Sequence, residues 1–421
     1  MGNIIYLLIV FVMHFASVLN AEPPKLKSLD ITNPRDVSNL VESRRREYNV
    51  PGMVAAMIHN NKIEAAGAAG VRIKGRSEGI TLDDKIHLGS CTKAMTATLW
   101  GMVVEKKLAH WDTKYYEQFD PSQLSLHPAY YHMSYRQLLN HRAGLAKDST
   151  DLGLPDYRQF QSMAGGNSDE ARAMTGNRAF KLPPSVTPGS YNYSNMSYIF
   201  AGHFLKLYLE NPKDKDTWQE SMKKYLFAPL GMSSAGFGPP PSRNSQGQII
   251  NAEGHSYYDG QPVGSGYYAD NAPMMGPAGT VHCSILDWAK FVNIHLQGAQ
   301  GKNNLLLAET YKELHTPILD GTNAYAMGWW ISNYDGVQGP VLMHNGTNTA
   351  WYALVAIFPA YDLAIVVGCN ELGHDWSTGY PAAGALLWDL FRNHMAQVNR
   401  LHEIGPDFAP NIESGLPERP W

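Results

Sequence analysis

Strand-forming sequence is concentrated towards the two ends of this chain, and that separation restricts the possible folds more than any other feature. Residues 53–58 and 62–69 are strand-like runs joined across the polar pair Asn60-Asn61, which predicts a hairpin. In the C-terminal third, residues 325–331, 341–344, 350–358 and 363–367 are short runs rich in aromatic and β-branched side chains, the composition of antiparallel strands. Both sets bury their faces together if they pair in one sheet and everything between them is inserted. The predicted class is α/β (α+β): an antiparallel sheet flanked by helices, with an inserted, mostly helical lobe.

Helical spacing supports that arrangement. Residues 34–48 place Val37, Leu40 and Val41 at helical intervals, and Pro51-Gly52 ends the pattern. Residues 90–107 are rich in Ala, Met, Leu and Val, contain no Pro, and predict a largely buried helix with Ser90 at its start. Residues 381–395 put Leu386, Leu387, Leu390 and Phe391 on one face. The middle of the chain alternates short helical stretches, 135–139 and 199–208, with Pro- and Gly-rich links. Residues 236–276, with Pro239-Pro240-Pro241 and Tyr257, Tyr258, Tyr267 and Tyr268, lack a period and read as a long loop of the kind that walls a site. The expected divisions are an α/β domain from 30–108 and 277–400, a lobe and active-site loop over 109–276, and a tail over 401–421.

Composition narrows the function. The chain has 421 residues, 44% hydrophobic and 17% charged, which excludes a disordered chain and a coiled coil. Its 34 basic and 38 acidic residues leave a net charge of −4, so neither nucleic acid nor a membrane surface is expected as a partner. Cys91, Cys283 and Cys369 are widely spaced and form no CxxC pair, so neither a disulfide framework nor a structural zinc is indicated; no cofactor is expected. Residues 4–12 are nearly all apolar and lead through Phe15-Ala16-Ser17 to Ala21, before Glu22-Pro23-Pro24 breaks any helix. Residues 1–21 therefore read as a signal peptide, implying a periplasmic or secreted protein with no stable membrane association after cleavage. The first residues lack Lys and Arg, which keeps an uncleaved N-terminal anchor as the alternative.

Three short segments carry the chemistry. In Gly89-Ser90-Cys91-Thr92-Lys93, a hydroxyl three residues before an ammonium shares its helix face, one turn away. Burial would lower the Lys93 pKa and let it act as a base towards Ser90. In Tyr191-Asn192-Tyr193-Ser194-Asn195, an extended segment would point Tyr193 and Asn195 the same way. Tyr193, its phenol pKa lowered by the cation, would exchange protons with the serine and the leaving group, and Asn195 would hold Lys93 or a substrate amide. In Met343-His344-Asn345-Gly346-Thr347, at a strand end, Gly346 permits close approach of a substrate, and the Thr347 and Ser90 amides would form an oxyanion hole. Cys91 lies about 100° around the helix from Ser90 and reads as a buried small residue rather than a thiol catalyst.

The order Ser/Lys, Tyr/Asn, His/Gly resembles that of the β-lactamase-related serine hydrolases, which include class C β-lactamases, DD-peptidases, D-aminopeptidases and family VIII carboxylesterases. The resemblance runs from about residue 41 to 394. It includes Leu138-Leu139-Asn140-His141-Arg142-Ala143-Gly144-Leu145, similar to the family's LLxHxSGL, and Pro277-Ala278-Gly279-Thr280, similar to its PAGG turn. It implies acylation of Ser90 by a small amide, peptide or ester, then attack by water, without a metal. Ser90 matches the nucleophile, Lys93 the base, Tyr193 the second proton carrier, Asn195 the polar orienter, and His344 and Gly346 the third motif. Where many β-lactamases carry Lys-Thr-Gly this chain has His-Asn-Gly, replacing a permanent cation by a histidine mostly neutral at pH 7. D-amino-acid peptidase or carboxylesterase activity is therefore favoured over efficient β-lactam hydrolysis, and turnover of carboxylate-bearing substrates is expected to rise as His344 protonates. The alternative is a sensor that acylates without turnover, or a self-assembling scaffold on the same fold. Oligomeric state is left open.

Overall fold

The computed structural model describes residues 26, 28–118, 126–209, 216–320 and 323–404. The expected signal peptide and all but the first four residues of the expected tail lie outside them. Among the described residues, twelve strands form two sheets: β1 Arg35–Asp36, β2 Gly52–His59, β3 Lys62–Gly70, β4 Lys85–His87, β5 Gly236–Phe237, β6 Val281–Ser284, β7 Ile318–Asp320, β8 Asn323–Tyr325, β9 Trp330–Ser332, β10 Val341–Thr347, β11 Tyr352–Phe358 and β12 Leu363–Cys369. The main sheet runs β1-β3-β2-β12-β11-β10-β9-β8-β7, and a small one runs β4-β6-β5. Strands from both ends of the chain therefore do join, with β2 antiparallel to β12 from His59 opposite Leu363 to Met53 opposite Cys369. The hairpin closes because Asn60 and Asn61 both adopt positive φ, 52° and 57°, as a tight two-residue turn requires.

The sheet is buried on both faces. Along β2, Val54, Ala56 and Ile58 enter one core while Met53, Ala55 and Met57 enter the other, the two-residue alternation of a strand. Helices α1 (Ser38–Glu47) and α7 (Gly379–Gln397) cover the second face, adding Val41, Leu386, Leu390 and Phe391. On the first face, α5 (Ile285–Ala299) contributes Trp288 and Phe291 and α6 (Ala308–His315) contributes Tyr311, joined by α2 (Thr92–Glu105), α3 (Tyr135–Leu139) and α4 (Asn195–Phe204).

Four expectations need correction. The sheet is mixed, because β1 pairs parallel to β3. The run at 325–331 divides into β8 and β9 around Gly328, whose φ is +86°. The helix placed at 199–208 begins at Asn195, where the Ser194 side chain caps it by accepting from the Ser197 amide. Helices α5 and α6 fall where no helix was assigned.

Candidate active site

Ser90 sits in a 3₁₀ turn, Gly89–Cys91, that runs straight into α2. Gly89 has a φ of +49°, and a Cβ there would collide with the backbone nitrogen of Thr347. A Cβ on Gly346 would collide with the Leu88 carbonyl oxygen and stand 2.6 Å from the Ser90 nitrogen. The Ser90 turn and the end of β10 thus touch backbone to backbone, leaving the Ser90 and Thr347 amides as neighbours. Behind the turn, the Gly89 N–H donates to His87 Nδ1 at 3.1 Å, so the His87 proton is on Nε2, 2.9 Å from Asp270 Oδ2. Asp270 also accepts from Asn348 Nδ2 at 2.9 Å, which ties the turn to the segment after β10.

Lys93 lies one helical turn beyond Ser90 and is fully buried. Its Nζ donates to Ser90 Oγ at 3.0 Å, Asn195 Oδ1 at 2.9 Å and the Ala278 carbonyl at 2.8 Å. Burial pushes its pKa down to about 7, with Asp148 and then Cys91 opposing. Asp148 belongs to the same network: its Oδ1 accepts from Asn195 Nδ2 and from the Tyr157 hydroxyl, each at 3.1 Å. Its own burial raises its pKa, and the two hydrogen bonds act against that.

Tyr193 and Asn195 both reach Lys93, although not from one extended segment. Tyr193 precedes the helix cap and presents its ring to the ammonium, 4.9 Å from the ring centroid, while Asn195 is the first residue of α4. The expected lowering of the Tyr193 pKa is reversed. Burial raises it, against the favourable influence of the Ser90 hydroxyl. Lys93 approaches the face of the ring, and a lysine that is itself half neutral near pH 7 gives a phenolate little support.

His344 is also buried. Its Nε2 is 3.0 Å from the Tyr325 hydroxyl and its Nδ1 is 2.5 Å from the Asn345 carbonyl oxygen. Burial, reinforced by Lys93, lowers its pKa to about 3. The expected gain in turnover on protonation of His344 is therefore corrected: the imidazole stays neutral throughout the ordinary working range. Cys91 Sγ points towards the carbonyls of His344 and Ala353, and burial pushes the thiol pKa up, as befits a packed small residue.

Ser90, Lys93, Tyr193, Asn195, His344, Gly346 and Thr347 thus meet in one place. The arrangement sets a hydroxyl beside an amine that is partly neutral at pH 7, with two backbone amides alongside, and so can move a proton off Ser90. Just past the end of β10, a cavity of about 300 Å³ is lined by Asn348 and Thr349 and by Tyr257, Tyr258, Tyr268 and Asn271 from the 236–276 loop. Sequence reasoning missed His87, Asp148 and Asp270, and gave His141 no role. His141 packs 4.3 Å from the Tyr193 ring and accepts from the Ser194 amide through Nδ1, which helps hold that segment in place. The segment similar to LLxHxSGL was its only signal.

Comparison with known proteins finds relatives of this chain. The family model described as Beta-lactamase matches residues 37–386. Unguisins hydrolase ungD' of Aspergillus campestris is 24% identical over 384 residues, which cover 89% of this chain and 66% of that protein. Penicillin-binding protein 4 of Amycolatopsis lactamdurans is 22% identical over 388 residues, 88% of this chain and 92% of that protein. The D-amino acid amidase of Ochrobactrum anthropi SV3, solved with L-phenylalanine, superposes with a TM-score of 0.62 at 18% identity, covering 86% of this chain and 97% of that one. The fold is accordingly that of the β-lactamases and DD-peptidases, and the chain belongs to the β-lactamase family.

Proposed function

We propose that this chain is an exported serine hydrolase that acts through an acyl-enzyme on a small amide, peptide or ester. The observation that carries this reading is the buried Lys93 Nζ, 3.0 Å from Ser90 Oγ with a pKa of about 7. Neutral Lys93 takes the Ser90 proton as Oγ attacks the substrate carbonyl, while the Ser90 and Thr347 amides hold the developing oxyanion. Tyr193, as a neutral phenol, passes the proton from Lys93 to the leaving group by accepting one and donating another. Water then attacks the acyl group and gives a proton to Lys93, which passes it to Ser90 Oγ as the acyl–oxygen bond breaks, restoring both the serine and the neutral lysine. Asn195 fixes the lysine, and Gly346 leaves room for the substrate beside β10.

A neutral His344 supplies no cation for a substrate carboxylate, which favours D-amino-acid peptidase or carboxylesterase chemistry over efficient β-lactam hydrolysis. The likeness to a D-amino acid amidase points the same way. The test incubates wild type and Ser90→Ala with p-nitrophenyl butyrate, nitrocefin and a D-Ala-D-Ala peptide. Steady Ser90-dependent turnover supports the hydrolase, and the preferred substrate ranks the activities. One equivalent released and then nothing supports a sensor, whereas neither phase with any substrate leaves the scaffold reading.

A further inference from the structure

At the turn of the β2–β3 hairpin, a second cluster of reactive side chains stands apart from the Ser90 network. His59 ends β2, Glu64 lies on β3, and His394 is in the last turn of α7. A β-bulge brings the first two together. His59 faces Lys62 and Ile58 faces Ile63, but Met57 faces Ala65, so Glu64 is the extra residue between two pairs. Ile63 and Ala66 therefore both point to the first core, and Ala65 points to the second, where α7 packs. The bulge turns Glu64 to that second side as well, beside His59. Glu64 Oε2 is 2.8 Å from His59 Nδ1 and Glu64 Oε1 is 3.4 Å from His394 Nδ1. The two imidazole rings meet edge to face with centroids 4.6 Å apart.

We infer that His59, Glu64 and His394 form a binding site for a divalent transition-metal ion, with Zn²⁺ the best match. One donor atom from each residue lies within 4.8 Å of the others. Tetrahedral zinc, with bonds of about 2.0–2.2 Å, sets its ligands about 3.4 Å apart, so small side-chain rotations close the site. Two imidazoles and one carboxylate suit zinc, whereas calcium and magnesium prefer all-oxygen shells. His394 is buried, while the His59 and Glu64 side chains keep 31% and 27% of their exposure, which gives the ion a path in and leaves water for a fourth ligand. Binding displaces the protons that hold the imidazoles to the carboxylate and clamps the hairpin turn to the end of α7. His59 and Glu64 are 5 residues apart and His394 is 330 beyond Glu64, a spacing that matches no metal motif.

Protein dialysed against a chelator and then freed of it is titrated with ZnCl₂ by calorimetry, alongside His59→Ala and Glu64→Gln. Both replaced side chains are partly exposed, and a thermal melt of each variant checks that it folds. The expected result is one Zn²⁺ per chain for wild type, affinity lower by at least about tenfold in each variant, and a melting temperature that a given zinc concentration raises more in wild type than in either variant. Absence of binding to wild type, or wild-type affinity retained in both folded variants, overturns the site. Neither result depends on Ser90 chemistry.

Discussion

Replacing Asp148 by Asn removes a buried negative charge from the Lys93 network but keeps an amide of the same shape. Asn195 joins the two groups, accepting from Lys93 Nζ at 2.9 Å and donating to Asp148 Oδ1 at 3.1 Å. With the amide between those contacts, the charges are no more than about 8 Å apart. At an effective dielectric constant of about 20 their attraction is about 2 kcal/mol, equivalent to about 1.5 pH units. Asp148 is the largest influence opposing the burial of the lysine, so its removal takes Lys93 from about 7 to lower values. If neutral Lys93 is the base, kcat/KM rises with pH through the lysine pKa, and Asp148→Asn moves that rise to lower pH. At pH 6, wild type would show about a tenth of its plateau and the variant about three quarters. The assay is kcat/KM for p-nitrophenyl butyrate between pH 5 and 9, with thermal melts of both proteins. A rising limb at the same pH in a folded Asp148→Asn variant would refute the link from Asp148 to the base.

Lys93 also bears on stability. Its folded pKa of about 7 lies below the value of 10.5 for a free lysine, so folding is penalised by up to about 5 kcal/mol below pH 7, and the penalty fades as pH rises towards 10.5. Lys93→Met should therefore be inactive, and its stability relative to wild type in urea melts should be greatest near pH 6 and fall steadily by pH 10; a pH-independent difference contradicts the buried amine. Gly346→Ala places a Cβ against the Leu88 carbonyl and the Ser90 amide, and is expected to destabilise by about 1–3 kcal/mol and cut kcat about a hundredfold or more, measured by urea melts and ester hydrolysis. His344→Gln should leave the pH of the rising limb unchanged between pH 5 and 9, because His344 titrates near pH 3; a limb that disappears would assign it to His344 instead.

The parts of this fold that were legible in sequence are those set by local rules. Two strand-like runs across a two-asparagine turn gave away the hairpin, and Ser90 with Lys93 was visible because helical geometry alone places such residues together. The site residues on three distant segments could be grouped through family resemblance, but not their electrostatics. Whether Tyr193 ionises depends on its burial and on which side of its ring Lys93 approaches, and neither is written in the segment that carries it. Asp148 stood in an unremarkable polar stretch until Asn195 proved to be a helix start that bridges it to Lys93. His87 and Asp270 are 183 residues apart and meet through the small sheet and the loop beside it, whose pairing no periodicity announced. The run at 325–331 looked like one strand because its aromatic residues outweighed the turn-forming Gly328.

The most direct test of Ser90 as nucleophile is intact-protein mass spectrometry after rapid acid quench of wild type and Ser90→Ala with p-nitrophenyl butyrate. Wild type is predicted to gain one butyryl group, mapped by peptide digestion to Ser90, while folded Ser90→Ala gains none and releases no p-nitrophenol above background. An adduct on another residue, or equal release by the two proteins, would contradict the account.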